Sequence, residues 1–307
     1  MKEIIDKING GGECTSNKRL KISVVISVYN KLEQLKNILL ALNNQIELPF
    51  EVIIADDGSS EILEEEIRDI IPKLRYTLKH VYQEDKGFRL ASSRNNGLNY
   101  SLGDYILFID QDILFDEYFI KNIKENTKKD EVLKINALFL DEVRTNKINE
   151  KIEKNNNFYY EYIKSELREE DYKHIEKLNK KDKRRNFWYN VHLMKRGAKI
   201  IGLGIGCFKE DILKINGFDE KYEGWGCEDD DLGNRFYALG LKVGIFEFNN
   251  LVVHMWHKSS SNKSGNDEYY KARKKVILFK KEYTCEFGCK NRLKKEKIEE
   301  KVLKILK

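Results

Sequence analysis

The apolar residues of this chain alternate between two patterns. Ile22-Ser23-Val24-Val25-Ile26-Ser27-Val28 is a near-continuous β-branched run, which predicts a strand buried on both faces. After Tyr29-Asn30, the residues Leu32, Leu35, Leu39 and Leu42 recur at helical spacing. Phe50 to Ala55 predicts a second strand, stopping at Asp56-Asp57-Gly58-Ser59. Glu61 to Ile71 predicts a second helix, ended by Pro72. Thr77 to Gln83 predicts a third strand, and a helix begins near Ala91. Tyr105 to Ile109 predicts a fourth strand, ending at Asp110-Gln111-Asp112. Ile200 to Phe208 and Leu241 to Phe248 predict further strands, and a helix over Leu232 to Leu239 lies between them, ending at Gly240. This alternation predicts an α/β fold with a mixed, mostly parallel sheet flanked by helices. Such sheets bind ligands outside the carboxyl ends of their strands. Tyr29-Asn30, Asp56-Asp57 and Asp110-Gln111-Asp112 stand at such ends.

From 141 to 196 the periodicity gives way to dense charge, which predicts a helical or mobile insert over the site. Its aromatics, Phe158, Tyr159, Tyr160, Phe187, Trp188 and Tyr189, either join the core or line an acceptor cleft. Residues 1–20 are polar, include Gly10-Gly11-Gly12, and read as a loose leader without the apolar run of a signal peptide. Residues 258–307 read as a basic tail. There Ile298, Val302, Leu303 and Leu306 fall at helical spacing, so a helix is expected.

Charge sharpens that picture. The net charge is +5, but Lys271 to Lys307 carries 14 Lys and Arg against five Glu, a local +9 that leaves −4 for the rest. The tail either packs as a solvated helix, holds a partner, or lies on an anionic membrane. No nucleic-acid recognition motif accompanies it, so nucleic acid is not expected as a partner. No segment reaches the length of a bilayer span. Five cysteines, odd in number and without disulfide or zinc spacing, suit a reducing compartment, so a cytoplasmic location is expected.

The densest chemistry lies in Gly217 to Arg235. Glu228-Asp229-Asp230-Asp231 follows closely on Gly224-Trp225-Gly226. Acids in the first turn of a helix complement its dipole, but that reason covers one or two of them, not four. Trp225 between two glycines offers a flat face for stacking on a sugar. Asp110 and Asp112 point to one side of an extended chain and can hold a divalent cation that bridges two phosphates. His254 and His257, three apart after a strand, are further candidate ligands.

Taken together, Val28-Tyr29-Asn30, Asp56-Asp57-Gly58-Ser59, Gly87-Phe88-Arg89 with Arg94-Asn95, Asp110-Gln111-Asp112 and Gly217 to Arg235 resemble family 2 inverting glycosyltransferases. The last stretch resembles the acceptor motif of galactosyltransferase-like enzymes, and the whole is similar to bacterial chondroitin-polymerase-type transferase domains. The resemblance covers roughly Ile22 to His257, except the insert. It implies a GT-A, Rossmann-like domain over 21–257, with a nucleotide-sugar half at 21–115 and an acceptor half at 197–257. It implies transfer of a hexose or N-acetylhexosamine from a UDP-sugar to a glycan hydroxyl with inversion, on a free or lipid-linked acceptor. It sets Tyr29 near the uracil and Asp57 as the acceptor for its ring N–H, with Asn30 and Asp56 beside them. It sets Lys86 and Arg94 near the donor's phosphates or sugar, and Asp110 on the ribose or on the metal through water. Asp112 becomes the main metal carboxylate with His254, or alternatively His257, and manganese is preferred to magnesium. Asp229 becomes the general base, because a hydroxyl attacks only where an acceptor for its proton is positioned. Glu228 and Asp230 would hold sugar hydroxyls, Trp225 would stack, and Asp231 would cap the helix. Two rivals remain: a sugar-nucleotide pyrophosphorylase, which lacks an early Gly-rich phosphate loop here, and an inactive nucleotide-sugar-binding module of the same fold.

Overall fold

Strand β1 (Ile22–Val28) is buried along its whole length, as its β-branched run requires. The structure, a computed structural model, describes residues 20–247, 250–258 and 265–306. The expected leader, apart from Leu20, and Phe248 of an expected strand lie outside the described residues. The further strands are β2 (Glu51–Asp56), β3 (Thr77–Tyr82), β4 (Tyr105–Asp110), β5 (Ile113–Leu114), β6 (Glu131–Lys134), β7 (Leu138–Phe139), β8 (Gly204–Phe208), β9 (Lys242–Ile245), β10 (Val253–His254) and β11 (Glu299–Lys304). The helices are α1 (Leu32–Asn43), α2 (Leu63–Glu66), α3 (Leu90–Tyr100), α4 (Phe119–Asn126), α5 (Glu142–Asn155), α6 (Glu161–Lys164), α7 (Glu169–Asn190), α8 (Lys209–Lys214), α9 (Glu228–Leu239) and α10 (Asn266–Lys280).

The large sheet runs β11-β3-β2-β1-β4-β8-β6-β9, and a small sheet runs β5-β10-β7. β3, β2, β1 and β4 are parallel neighbours, while β8 and β11 run antiparallel to theirs. Strand order therefore reverses between β1 and β4, which opens a crevice at their carboxyl ends. Register fixes that crevice: Ser27 lies opposite Asp110, and Val28 opposite Asp56.

Each face of β1 carries its own core. Val24, Ile26 and Val28 pack with Leu35, Ile38, Leu39 and Leu42 of α1. Val25 packs on the other side with Ile53, Phe108, Ala91 and Leu98 of α3, and Leu232 and Phe236 of α9. Each such side chain contributes about 1.5–3 kcal/mol on burial. Helix α3 comes close to the sheet because Gly97 has no Cβ; one built there would stand 2.4 Å from Val25 Cγ1.

Three expected elements differ. Glu61 to Ile71 is not one helix: α2 covers four residues, and Pro72 lies inside a 3-10 turn at Ile71–Lys73. Glu61 is drawn elsewhere, its carboxylate accepting from the N–H groups of Lys31 and Leu32 and capping α1. Helix α9 begins at Glu228, so all four acids lie in its first turn. The tail is helical in α10, but Glu299–Lys304 forms β11 rather than a helix. The exposed edge of β3 offers a row of unpaired backbone groups, and β11 satisfies them. Leu303 and Ile298 then pack against opposite cores, which helical spacing alone does not reveal.

The insert is helical, comprising α5, α6 and α7. Its aromatics divide: Phe158 and Tyr160 are buried, whereas Tyr159, Phe187 and Trp188 are exposed. Tyr189 lies against Tyr237, with ring centroids 4.7 Å apart. No helix among the described residues is long and apolar enough to cross a membrane, and the four described cysteines are free.

Candidate active site

The carboxyl ends of β1, β2 and β4 meet through side-chain hydrogen bonds. Tyr29 N–H donates to Gln111 Oε1, and Gln111 Nε2 donates to the Asn30 carbonyl at 2.9 Å. Asn30 and Lys31 both have positive φ, the left-handed backbone that lets the chain turn abruptly after β1. Asn30 Oδ1 accepts from Ser60 N–H, so its side chain ties two loops together. Asp56 accepts from Gly58 and Ser59 N–H and pairs with His80 at 2.9 Å, which likewise commits it to shaping the turn. Asp57 is different. It is 3% exposed, accepts from Arg89 N–H at 2.6 Å and from Gln83 Nε2, and burial pushes its carboxyl up to about 6. Tyr29 stands at the mouth, 41% exposed, with its hydroxyl 3.2 Å from Asp85. Lys86 is exposed in the next loop, paired with Glu84 and Glu296.

One residue beyond β4's Asp110-Gln111, Asp112 faces both histidines. His254 Nε2 is 3.3 Å from Asp112 Oδ1, and His257 Nε2 is 3.1 Å from Oδ2. Strand β10 sets this up: His254 pairs opposite Ile113, and Met255 N–H donates to the Asp112 carbonyl at 2.8 Å. The three candidate ligand atoms lie within 4.8 Å of one another. Asp112 Oδ1 is buried without a hydrogen-bond partner, as a metal-binding oxygen would be. His257 Nδ1 lies 3.2 Å from the Lys258 carbonyl, a contact that leaves Nε2 for a ligand when Nδ1 carries the proton. Two imidazoles and a carboxylate fit a divalent transition cation. Both histidines thus lie in the cluster beside Asp112. Phe139, whose ring stacks on His254 at 4.4 Å, carries no sequence signal.

The four acids of α9 separate by face. Glu228 points toward β4: Arg94 donates to its Oε1 at 3.4 Å, and its buried Oε2 has no hydrogen-bond partner. Burial and the adjacent Asp229 charge push Glu228 well above the usual carboxylate range. Asp229 is partly exposed, and its Oδ2 accepts from Gly202 N–H at 2.9 Å. Asp230 turns away. It is buried against Arg196, Lys199 and Tyr270, so the expectation that it holds a sugar hydroxyl does not match its environment. Asp231 does not cap the helix; it is fully buried, paired with Arg235 at 2.6 Å and accepting from Tyr222. Trp225 stands 63% exposed on a turn whose flanking Gly224 and Gly226 both have positive φ. That turn is pinned to the loop at 84–89, because Gly224 N–H donates to the Phe88 carbonyl at 2.8 Å.

Arg94 also departs from expectation. It is 1% exposed and donates to Asp110 at 2.9 Å, Ser27 at 3.2 Å, the Gly202 carbonyl at 3.0 Å and Glu228. Through these bonds it bridges β4 to α9. Burial, opposed by Arg94 and reinforced by Asp112, raises the Asp110 carboxyl. Sequence reasoning quoted Gln111 and Arg89 within motifs but gave neither a role; Arg89 donates from its backbone to Asp57 and from its guanidinium to Glu296 at 2.7 Å.

The sequence pattern of glycosyl transferase family 2 matches residues 23–198, and that described as the N-terminal domain of galactosyltransferase matches residues 183–258. Validoxylamine A glucosyltransferase of Streptomyces hygroscopicus subsp. limoneus is 24% identical over 244 residues, 73% of this chain and 49% of the relative. Chondroitin synthase of Pasteurella multocida is 27% identical over 241 residues, 75% of this chain and 24% of the relative. The matched region thus spans about half or less of the length of these relatives. Among solved structures, S. aureus TarS 1-349 in complex with UDP-GlcNAc superposes with a TM-score of 0.54 at 15% identity, covering 88% of this chain and 68% of TarS 1-349. That likeness identifies the fold.

Proposed function

Since the chain belongs to glycosyl transferase family 2 and is a glycosyltransferase, we propose that it transfers a hexose or N-acetylhexosamine from a UDP-sugar to a glycan hydroxyl with inversion. The observation that carries this reading is the Arg94 bridge, which holds strand-end Asp110 and the Glu228-Asp229 turn in one crevice. A UDP-GlcNAc complex of TarS supports a UDP-sugar donor, and a relative named for chondroitin synthesis supports a glycan acceptor, free or lipid-linked.

Within that reading, Asp57 accepts from the uracil imide N–H and the Tyr29 ring lies beside the base. Lys86 supplies a cation for the phosphates. Asp112, His254 and His257 hold a divalent cation, and two imidazoles favour manganese over magnesium. A cation held by these three residues would supply positive charge to offset the charge that develops on the departing UDP. Trp225 stacks on a sugar face. Asp229 takes the proton of the attacking hydroxyl, its Oδ2 oriented by Gly202 N–H. A single positioned base with no designated nucleophile supports inversion.

Calorimetric titration with UDP tests the donor half. Binding is expected in manganese and should weaken severely after chelation or in Asp112→Ala. Equal UDP affinity with manganese and with excess chelator would remove the cation from this reading.

A further inference from the structure

The end of α7 and the end of α10 together form a surface that the transfer chemistry leaves unexplained. Leu193 and Phe279 are each 70% exposed, Phe187 is 57% exposed and Trp188 is 42% exposed. Met194 stands beside them, since the N–H groups of Leu193 and Met194 both donate to the Trp188 carbonyl. The Phe187 and Trp188 rings meet at 5.3 Å, and Lys195 Nζ lies 5.2 Å from the Phe279 ring, which joins the segment following α7 to α10. Single exposed apolar residues are ordinary, but a contiguous group of this size marks an interaction site.

The rim is cationic. Between Lys180 and Lys199 the sequence has eight Lys and Arg; Lys180 pairs with Glu176, Lys183 with Glu247, and Arg196 and Lys199 with Asp230, while Lys181, Arg184, Arg185 and Lys195 add charge beyond those pairs. Lys274 of α10 has its pKa pushed down by burial and by Arg196, Lys199 and Arg185, with Asp230 opposing them, so cations from both segments converge here. Lys275 and Lys280 extend the same charge along α10. Arg196 and Lys199 anchor the patch to Asp230, next to Asp229.

We propose that this patch docks the enzyme on an anionic lipid bilayer. Leu193 and Met194 offer no hydrogen-bonding group to a glycan, but they suit acyl chains. Aromatic rings and lysine stems suit the headgroup boundary. A two-fold dimer through the same patch would set its cations against one another. Docking here brings the Asp229 turn near the bilayer surface, where a lipid-anchored acceptor presents its hydroxyl. The inference does not depend on the donor's identity, and its test reads lipid binding without turnover.

The test is co-sedimentation of the full chain with phosphatidylcholine vesicles, with and without phosphatidylglycerol. Binding is expected only with phosphatidylglycerol and should fall in high salt. Leu193→Glu combined with Phe279→Glu should lower the vesicle-bound fraction roughly tenfold or more while melting temperature and circular dichroism stay near wild type. Lys274→Glu combined with Lys275→Glu should weaken binding without touching the apolar residues. Equal binding to neutral vesicles, no binding to anionic ones, or unchanged binding by both variants overturns the proposal. So does a dimer in light scattering that the Leu193→Glu, Phe279→Glu variant dissolves, which would give the patch to a second copy.

Discussion

Asp57 pays for its position in protonation. A carboxylate at 3% exposure loses hydration that two hydrogen bonds only partly replace, and its pKa rises from 3.8 to about 6. The folded pKa lies above the unfolded one, so the stability linked to this group is fully present below about pH 3.8 and is lost as pH rises through about 6. Such a cost is understandable where an ionised acceptor is required for a ligand. Uridine, which has no phosphate to titrate or to bind metal, isolates the effect. Its affinity should fall about tenfold per pH unit below pH 6, and that slope should vanish in Asp57→Asn, as read by NMR titration. A flat profile in the wild-type protein would separate Asp57 from the base. For the acceptor side, Asp229→Asn keeps size and removes basicity. It should lower turnover roughly a hundredfold or more with UDP binding nearly intact. Normal turnover in Asp229→Asn together with inactivity in Glu228→Gln would move the base by one residue.

Which residues were legible in the sequence follows from how locally they are determined. Asp57 and Asp112 were legible because an apolar strand announces its own end, and the acids there face the crevice. His254 and His257 were legible as candidates, yet their shared contact with Asp112 depends on β10 pairing beside Ile113. The surroundings of Arg94 and Asp230 were not legible for one reason: their partners are remote in sequence. Arg94 is occupied by Asp110, Gly202 and Glu228, and Asp230 by Arg196 and Tyr270. A charged side chain on a helix reads as available until the fold supplies its counterion.

At the scale of elements, the segment after α10 changes most between sequence and structure. It crosses from the segment before α9 to α3 and the loop at 84–89 before becoming β11. Phe287 and Asn216 exchange backbone bonds with the chain around them, since Glu220 N–H donates to Phe287 and Cys289 N–H to Asn216. Arg292 pairs with Glu220 at 2.6 Å and donates to Asn96 of α3. Glu296 then holds Arg89, whose backbone N–H holds Asp57. The loop at 84–89 is therefore braced by residues about two hundred positions away. Glu296→Gln keeps the side chain's shape and removes its charge. A hydrogen bond to a charged group is worth about 1.5–3 kcal/mol, so the donor KM should rise roughly tenfold while kcat changes little. Steady-state kinetics with varied donor measures the split; an unchanged KM would make the brace irrelevant to binding. Helical spacing of Ile298, Val302, Leu303 and Leu306 misled because edge pairing with β3 wins over a weak local period.

For the whole molecule, one sheet carries two kinds of chemistry. The β3-β2-β1-β4 half turns strand ends into a crevice, and the β8-α9 half brings a row of acids to its side. Arg94 is the joint, a buried cation between carboxylates from each half. Removing one partner from such a buried pair typically costs about 3–5 kcal/mol, which ties the integrity of the cleft to that of the fold. The reading that follows is a glycosyltransferase whose donor is a UDP-sugar held with a divalent cation. Slow transfer to water needs no known acceptor, so UDP release from a panel of UDP-sugars tests it most directly. The expected result is UDP release from at least one UDP-sugar in manganese, abolished by chelation and by Asp112→Ala. Folded protein that releases no UDP from any of them, or releases it equally in excess chelator, would contradict it.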